Sequence, residues 1–167
     1  MNVKAQKAVF AGSFDPFTCA HAEIVRKSLQ VFSEVIVAVA DHTGRSRVAP
    51  LSARVQIARL SVGGTWGQPP RVCVEPFSGL LTDFMAAAET RFLIRGLRDF
   101  MDLRHEQDIA EVYRSQNAKF EQIYFLTDHK FMYISGTIVR ELAALGGSLD
   151  GYVALEAQEL VRKTYGI

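Results

Sequence analysis

The sequence predicts an α/β fold in which a five-stranded parallel sheet is flanked by helices, in a single domain spanning all 167 residues. Two observations carry this prediction. Short apolar runs rich in β-branched residues alternate five times with longer segments of roughly helical period. The runs are apolar throughout rather than at every second position, which indicates strands buried on both faces of a sheet.

The elements follow in order along the chain. The first strand, Ala8–Phe10, ends before Gly12, and a turn leads into a helix over Ala22–Phe32. The later strands are predicted at Val35–Ala40, Arg71–Glu75, Phe92–Ile94 and Gln122–Leu126. The helices after them are predicted at Ser52–Leu60, Leu81–Glu89, Asp99–Arg114 and Thr137–Leu145. Gly146-Gly147 ends the fifth helix, and Leu155–Tyr165 is predicted to form a last helix that closes the domain.

Polar residues cluster where the predicted strands end. Because the strands of such a Rossmann-like, doubly wound sheet are parallel, the loops that follow them lie at one edge, and ligands bind there. The loops in question are Gly12–His21, Asp41–Arg47, Ser78–Leu81, Arg95–Arg98 and Thr127–Thr137. We therefore expect one polar site at the carboxyl edge of the sheet.

Composition excludes several classes of protein. The net charge of +1 provides no global field for gripping nucleic acid or a membrane surface, so we expect neither partner. Cys19 and Cys73 do not suggest a disulfide framework, and no apolar run approaches the ~18 residues that span a bilayer. We expect a cytoplasmic protein. A G-x-G-x-x-G or G-K-[ST] pattern is absent, which argues against dinucleotide-binding and P-loop proteins.

The segment after the first strand is suited to binding phosphate. Thr18 and His21 fall at the start of the first helix, where free backbone N–H groups favour an anion. The neutral ring of His21 can donate to a phosphate oxygen, and its protonated ring can oppose developing negative charge. Gly12 and Asp15 alone would fit an ordinary turn equally well. The added Thr and His favour a nucleotide phosphate site.

The run Gly12-Ser13-Phe14-Asp15-Pro16-x-Thr18-x-x-His21 resembles the (H/T)xGH element of the nucleotidyltransferase superfamily, in the form that phosphopantetheine adenylyltransferases have. Ala20 stands where that family has glycine. The resemblance implies that His21 stabilises the pentacovalent transition state with help from Thr18. It also implies that Ser13 and Phe14 line the junction of both substrates.

A second motif, Arg95-Gly96-Leu97-Arg98, extends the resemblance. In the family the first arginine holds phosphopantetheine and the next three residues contact the nucleotide, which implies these roles here. Glu106 matches a family glutamate that contacts ATP. Taken alone, the tetrapeptide also fits a solvated turn and Glu106 a helix-surface acid, although arginine forks do bind phosphate oxygens well.

A third motif precedes the fifth helix. Ile134-Ser135-Gly136-Thr137 corresponds to a serine-rich run of the family that contacts the ATP phosphates, with Gly136 in place of one serine. The resemblance extends the ATP contacts to Phe131, Met132 and Tyr133. From the residues alone, this stretch is first a helix N-cap, whose backbone donors also suit phosphate.

The acceptor side rests on the resemblance. Arg45 lies where the family has a lysine that orients the acceptor. The resemblance implies that Arg45 takes part in catalysis and in acceptor binding. Leu80 and Leu81 match positions that contact the pantetheine arm, although core packing would explain them equally well.

The resemblance implies adenylyl transfer from ATP to 4′-phosphopantetheine, with Mg²⁺ as cofactor, in coenzyme A biosynthesis. It also implies a homohexamer. Two alternatives stay open at this stage. One is a related nucleotidyltransferase with another phosphorylated acceptor, and the other is a catalytically silent nucleotide-binding paralogue.

Overall fold

The computed structural model describes residues 6–41, 49–65 and 71–166. Within these ranges, five strands form one sheet in the order β3-β2-β1-β4-β5, and every neighbouring pair is parallel. The strands are β1 (Lys7–Gly12), β2 (Glu34–Ala40), β3 (Val72–Phe77), β4 (Phe92–Leu97) and β5 (Glu121–Leu126). From β1 the chain moves outward to β3 and then crosses to the other side of β1 at β4. The loops after β1 and β4 therefore diverge and open a cleft between them.

Helices cover both faces of the sheet, as the sequence predicts. They are α1 (Cys19–Ser28), α2 (Leu51–Thr65), α3 (Leu81–Ala87), α4 (Phe100–Gln116), α5 (Gly136–Ala144) and α6 (Leu155–Tyr165), with a 3-10 turn at His129–Phe131. Within the described ranges, no helix combines the length and the apolar character that a membrane span requires.

Among the described residues, two apolar clusters form the core, one on each face of the sheet. The larger one packs side chains of α1, α2, α5 and α6 against alternate strand residues such as Phe10, Val37 and Ile94. The smaller one packs side chains of α3 and α4 against the intervening strand residues, such as Val9 and Leu93, which point to the opposite face of the sheet. Because β1 and β4 are buried from both faces, the loops at their carboxyl ends are anchored to tightly packed strands.

The fourth strand is longer than the sequence predicts. Arg95, Gly96 and Leu97 do not follow β4 but pair within it, against Tyr124, Phe125 and Leu126 of β5. The strand continues because β5 runs alongside these residues and because Gly96 leaves room for α1 to pack on it. A Cβ added at Gly96 would lie 2.8 Å from Cγ1 of Ile24, so glycine lets the strand continue beneath this helix.

Candidate active site

A cavity of about 960 Å³ lies at the carboxyl edge of the sheet. Its wall comes from the turn after β1, the first turns of α1, α3 and α5, the end of β4 and one face of α4. This is the edge at which the sequence predicts the site. The volume is within the range of small-molecule and cofactor pockets.

Thr18 and His21 form a reciprocal capping box at the start of α1. The backbone N–H of Thr18 donates to Nδ1 of His21 at 3.0 Å, and the hydroxyl of Thr18 accepts from the backbone N–H of His21 at 3.4 Å. Because Nδ1 accepts a backbone hydrogen bond, the proton of a neutral ring must sit on Nε2. The imidazole, which lines the cavity, is thus held as an Nε2–H donor.

The surroundings of His21 keep its ring neutral. The rings of Phe14, Phe17 and Phe10 lie 5.1, 5.3 and 6.1 Å from the imidazole, centroid to centroid. Burial first, and then the nearby Arg98 guanidinium, lower the pKa of His21 to about 4. Of the two forms considered from the sequence, the neutral donor is therefore the one present at pH 7.

The turn before the capping box folds back on itself. Phe14 has a left-handed backbone with φ of 44°, which brings its ring over Gly12. A Cβ added at Gly12 would lie 3.1 Å from the Phe14 ring, so any larger residue there would push the ring away. With 3% of its surface exposed, Phe14 belongs to the core, and its ring packs against the His21 ring in a T-shaped arrangement.

Arg95 and Glu106, predicted to bind different substrates, contact each other. Nε of Arg95 lies 2.9 Å from Oε2 of Glu106, and Nη1 of Arg95 donates to the carbonyl of Ala11 at 2.7 Å. The same Glu106 oxygen accepts from Nε2 of Gln122 at 2.9 Å. These contacts hold the Arg95 guanidinium in place at the cavity wall.

Arg98 has its own carboxylate partner. Its Nε lies 3.1 Å from Oδ2 of Asp102, and its Nη2 lies 3.3 Å from Oδ1. Both carboxylate oxygens thus meet the guanidinium, which orients it toward the start of α4. Since Arg98 lowers the pKa of His21, its positive charge also acts on the imidazole.

The start of α5 provides a second helix N-terminus at the cavity. Ser135 is its N-cap, and the hydroxyl accepts from the backbone N–H of Ile138 at 3.3 Å. Gly136 packs so closely that an added Cβ would lie 2.7 Å from the carbonyl oxygen of Asp15. In this chain, glycine in the serine-rich position therefore allows the two loops to touch.

The structure brings most of the predicted site residues to the cavity wall. Those that line it are Ser13, Phe14, His21, Leu80, Leu81, Arg95, Gly96, Arg98, Glu106, Ile134, Ser135, Gly136 and Thr137. The methyl group of Ala20, the departure from the family glycine, lies in the same wall.

The other predicted residues lie elsewhere. Thr18 and Leu97 are buried behind the wall, with 1% and 4% of their surface exposed. Phe131, at the end of the 3-10 turn, and the next two residues, Met132 and Tyr133, lie outside the wall. Arg45 is outside the described residues. The predicted contacts of these residues, and of those in the wall, with substrates stay predictions.

A model of the cytidylyltransferase-like family matches residues 9–142. The chain belongs to this family. Among curated relatives, the phosphopantetheine adenylyltransferase of Oleidesulfovibrio alaskensis is 34% identical over 159 residues, which cover 95% of this chain and 91% of the relative. That of an Azoarcus species is 38% identical over 147 residues, 87% of each chain. The resemblance drawn from the motifs is confirmed, and the chain is a nucleotidyltransferase of the cytidylyltransferase-like family.

Solved structures agree on the fold. A Plasmodium falciparum nicotinic acid mononucleotide adenylyltransferase matches with a TM-score of 0.62 over 95% of each chain, at 14% identity. A bifunctional NMN adenylyltransferase/ADP ribose pyrophosphatase from Francisella tularensis matches with a TM-score of 0.68, also at 14% identity. That match covers 95% of this chain and 49% of the other. At such identities the likeness shows the fold alone.

The sequence motifs do not predict the part that two arginines of this nucleotidyltransferase play in holding the loops of the site. Arg54 of α2 is 2% exposed and donates to the carbonyls of Ser13, Ala40, Asp41 and Ala49, which ties together the ends of β1 and β2. Arg140 of α5 lines the cavity and donates to the carbonyl oxygen of Asp15. Their partners are mostly main-chain oxygens, which no residue pattern reveals.

Proposed function

We propose that this nucleotidyltransferase is a phosphopantetheine adenylyltransferase, which transfers AMP from ATP to 4′-phosphopantetheine and releases dephospho-coenzyme A and pyrophosphate. The observation that carries the chemistry is the neutral His21 ring, held by Thr18 as an Nε2–H donor in the cavity wall. The acceptor is supported by relatives of that name, 34% and 38% identical over most of the chain.

In the proposed reaction, an oxygen of the acceptor phosphate forms a bond to the α-phosphorus of ATP. The bond from that phosphorus to the bridging oxygen breaks, and its electron pair leaves with pyrophosphate. The attacking group is already an anion, so a strong general base is unnecessary. Catalysis then depends on positioning and on stabilising charge. His21 would donate from Nε2 to a non-bridging oxygen of the α-phosphate as negative charge grows there.

The remaining groups divide between the two substrates. On the nucleotide side, Arg98 and the N-terminus of α5, with Ser135 and Thr137, would meet the phosphates that leave. On the acceptor side, Arg95 would bind the phosphate of phosphopantetheine through the N–H groups that Ala11 and Glu106 leave open. Leu80 and Leu81, also in the cavity wall, would contact the apolar part of the pantetheine arm, and Arg45 would orient the acceptor.

We propose that Mg²⁺ enters as part of the nucleotide substrate. In the part of the chain that the structure describes, no group of three or more His, Cys, Asp or Glu side chains could hold a metal ion. The carboxylates of Asp102 and Glu106 pair with Arg98 and Arg95 instead. This donor set suits an ion bound mainly by phosphates and water, as Mg²⁺ often is.

The test is pyrophosphate release by the purified protein with MgATP and 4′-phosphopantetheine. CTP in place of ATP, and nicotinic acid mononucleotide in place of phosphopantetheine, are the matched controls. Turnover only with ATP and phosphopantetheine supports the proposal. Turnover with another acceptor alone would favour a related nucleotidyltransferase, and none with any pair would favour a silent paralogue.

A homohexamer in the cytoplasm completes the proposal, on the grounds of family membership. Light scattering after size exclusion measures the mass directly. A particle about six times the 18.6 kDa of one chain supports the hexamer, and a monomer contradicts it.

A further inference from the structure

Asp15 collects hydrogen bonds from three distant parts of the chain. It lies in the turn between β1 and α1 and has 9% of its surface exposed. Its Oδ1 accepts from the hydroxyl of Tyr165 at 2.7 Å and from the backbone N–H of Ala49 at 3.1 Å. Nη1 of Arg140 lies 3.3 Å from Oδ2. We call these four residues, Asp15, Ala49, Arg140 and Tyr165, the Asp15 hub.

The Asp15 hub reaches the proposed nucleotide site through Arg140. This arginine of α5 donates from Nη1 to the carbonyl oxygen of Asp15 and from Nη2 to the hydroxyl of Thr137 at 3.2 Å. Gly136 packs against the same carbonyl oxygen. The first turn of α5 is thus held against Asp15 by the Arg140 side chain and by the close packing of Gly136.

Tyr165, the last residue of α6, is the remaining member of the hub. Burial, and then the hydrogen bond to Asp15, raise the pKa of Tyr165 well above its usual value, so the hydroxyl remains a donor at neutral pH. A buried carboxylate needs all of its donors, because each one replaces water that has been excluded. Without this hydroxyl, the position of the Asp15 carboxylate, and with it that of Arg140, would be less well fixed.

We infer that Tyr165 is a positioning residue for the nucleotide: through Asp15 and Arg140 it fixes Thr137 and the first turn of α5 where the ATP phosphates bind. The inference rests on the proposed function and adds a residue that is far from the cavity motifs in sequence. Tyr165 is not among the residues that line the cavity. Its effect should therefore appear in the affinity for ATP and not in the affinity for the acceptor.

The variant Tyr165→Phe removes only the hydroxyl. Its matched control is Thr164→Val, which removes the neighbouring hydroxyl, whose hydrogen bond stays within α6 on the carbonyl of Leu160 at 2.7 Å. Calorimetric titration with MgATP measures the affinity without any acceptor. We expect the Kd for ATP to rise at least about fivefold in Tyr165→Phe, the lower end of usual coupling between sites, and less than about twofold in the control. The KM for the acceptor should stay within about twofold.

A double-mutant cycle with Thr137→Val separates positioning from a general loss of stability. If Tyr165 acts through Arg140 and Thr137, the effect of Tyr165→Phe on ATP affinity shrinks in the Thr137→Val background. If Tyr165→Phe weakens ATP binding by the same factor with and without Thr137→Val, Tyr165 does not act through Thr137 and the inference is wrong. Equal ATP affinity of wild type and Tyr165→Phe would overturn the inference alone. A wild type that binds no MgATP would overturn the proposed function, and this inference with it.

Discussion

Thr18 and His21 fix each other: the backbone N–H of Thr18 donates to Nδ1 of His21, and the Thr18 hydroxyl accepts from the backbone N–H of His21. The pairing decides the tautomer of the imidazole before any substrate arrives. Nε2 is left to carry the proton, in a ring that burial keeps neutral. A helix cap thereby becomes part of the proposed catalytic apparatus.

His21→Ala should lower kcat by about 10² or more, because a preorganised donor to developing charge is lost. ATP affinity should fall only modestly if the donor acts mainly in the transition state. Steady-state kinetics and a MgATP titration on the same protein separate the two effects. Turnover close to wild type would remove His21 from its assigned role.

Thr18→Val should reduce kcat by a smaller factor, about tenfold, because the backbone N–H of residue 18 still reaches Nδ1 while the hydroxyl is lost. The lost N-cap should also lower the free energy of unfolding by about 1 kcal/mol. Kinetics and denaturant unfolding measure the two losses. A variant as stable and as active as wild type would show that the capping box has neither function.

The low pKa of His21 predicts a particular pH dependence of stability. The folded pKa, about 4, lies below the ordinary value of 6.5, so the unfolded chain binds the proton more readily. This contribution to stability is complete above about pH 6.5 and is lost as the pH falls toward 4. The Tm of wild type should therefore fall more steeply over this interval than that of His21→Asn. Parallel Tm curves for the two proteins would contradict the assigned pKa.

Arg95→Ala should raise the KM for phosphopantetheine by about tenfold or more, with a much smaller change in the KM for ATP. The control is Arg114→Ala, which removes an arginine of α4 that pairs with Glu111 on the helix surface. The ratio of the two KM values is the measurement. An equal rise in both would mean that Arg95 does not distinguish the substrates.

Gly136→Ala should destabilise the protein by about 1 to 3 kcal/mol, because the new methyl would lie 2.7 Å from the carbonyl oxygen of Asp15. Gly63→Ala is the control: it lies in α2, and an added Cβ meets nothing within 4 Å. The control should be neutral or slightly stabilising, since alanine favours helix. Denaturant unfolding of both variants measures the difference, and equal stabilities would refute the close approach.

The sequence predicts the sheet and the edge that carries the site because both depend on local signals. Apolar runs place the strands, and each motif lies at the end of a strand or at the start of a helix. The Thr-x-x-His spacing also contains a signal for the contact between Thr18 and His21. A capping box usually has Glu or Gln in its last position, and here His21 takes that place.

The contacts that tie these loops together are not visible in the sequence. Tyr165 and Asp15 lie 150 residues apart, and Arg140 and Asp15 lie 125 apart. Arg54 binds main-chain carbonyls, which every residue possesses. The length of β4 also depends on distant neighbours, because its last three residues pair with β5 and Gly96 makes room for Ile24. Such features follow from tertiary packing, and only the folded chain reveals them.

The central claim is adenylyl transfer to 4′-phosphopantetheine, and the mass of the product tests it most directly. Purified protein, MgATP and 4′-phosphopantetheine should give a compound whose mass equals the acceptor plus one AMP unit, with water lost, and one pyrophosphate for each such molecule. The same reaction with His21→Ala should yield about a hundredfold less in the same time. No adenylylated phosphopantetheine from the wild-type protein, at saturating concentrations of both substrates, would contradict the account.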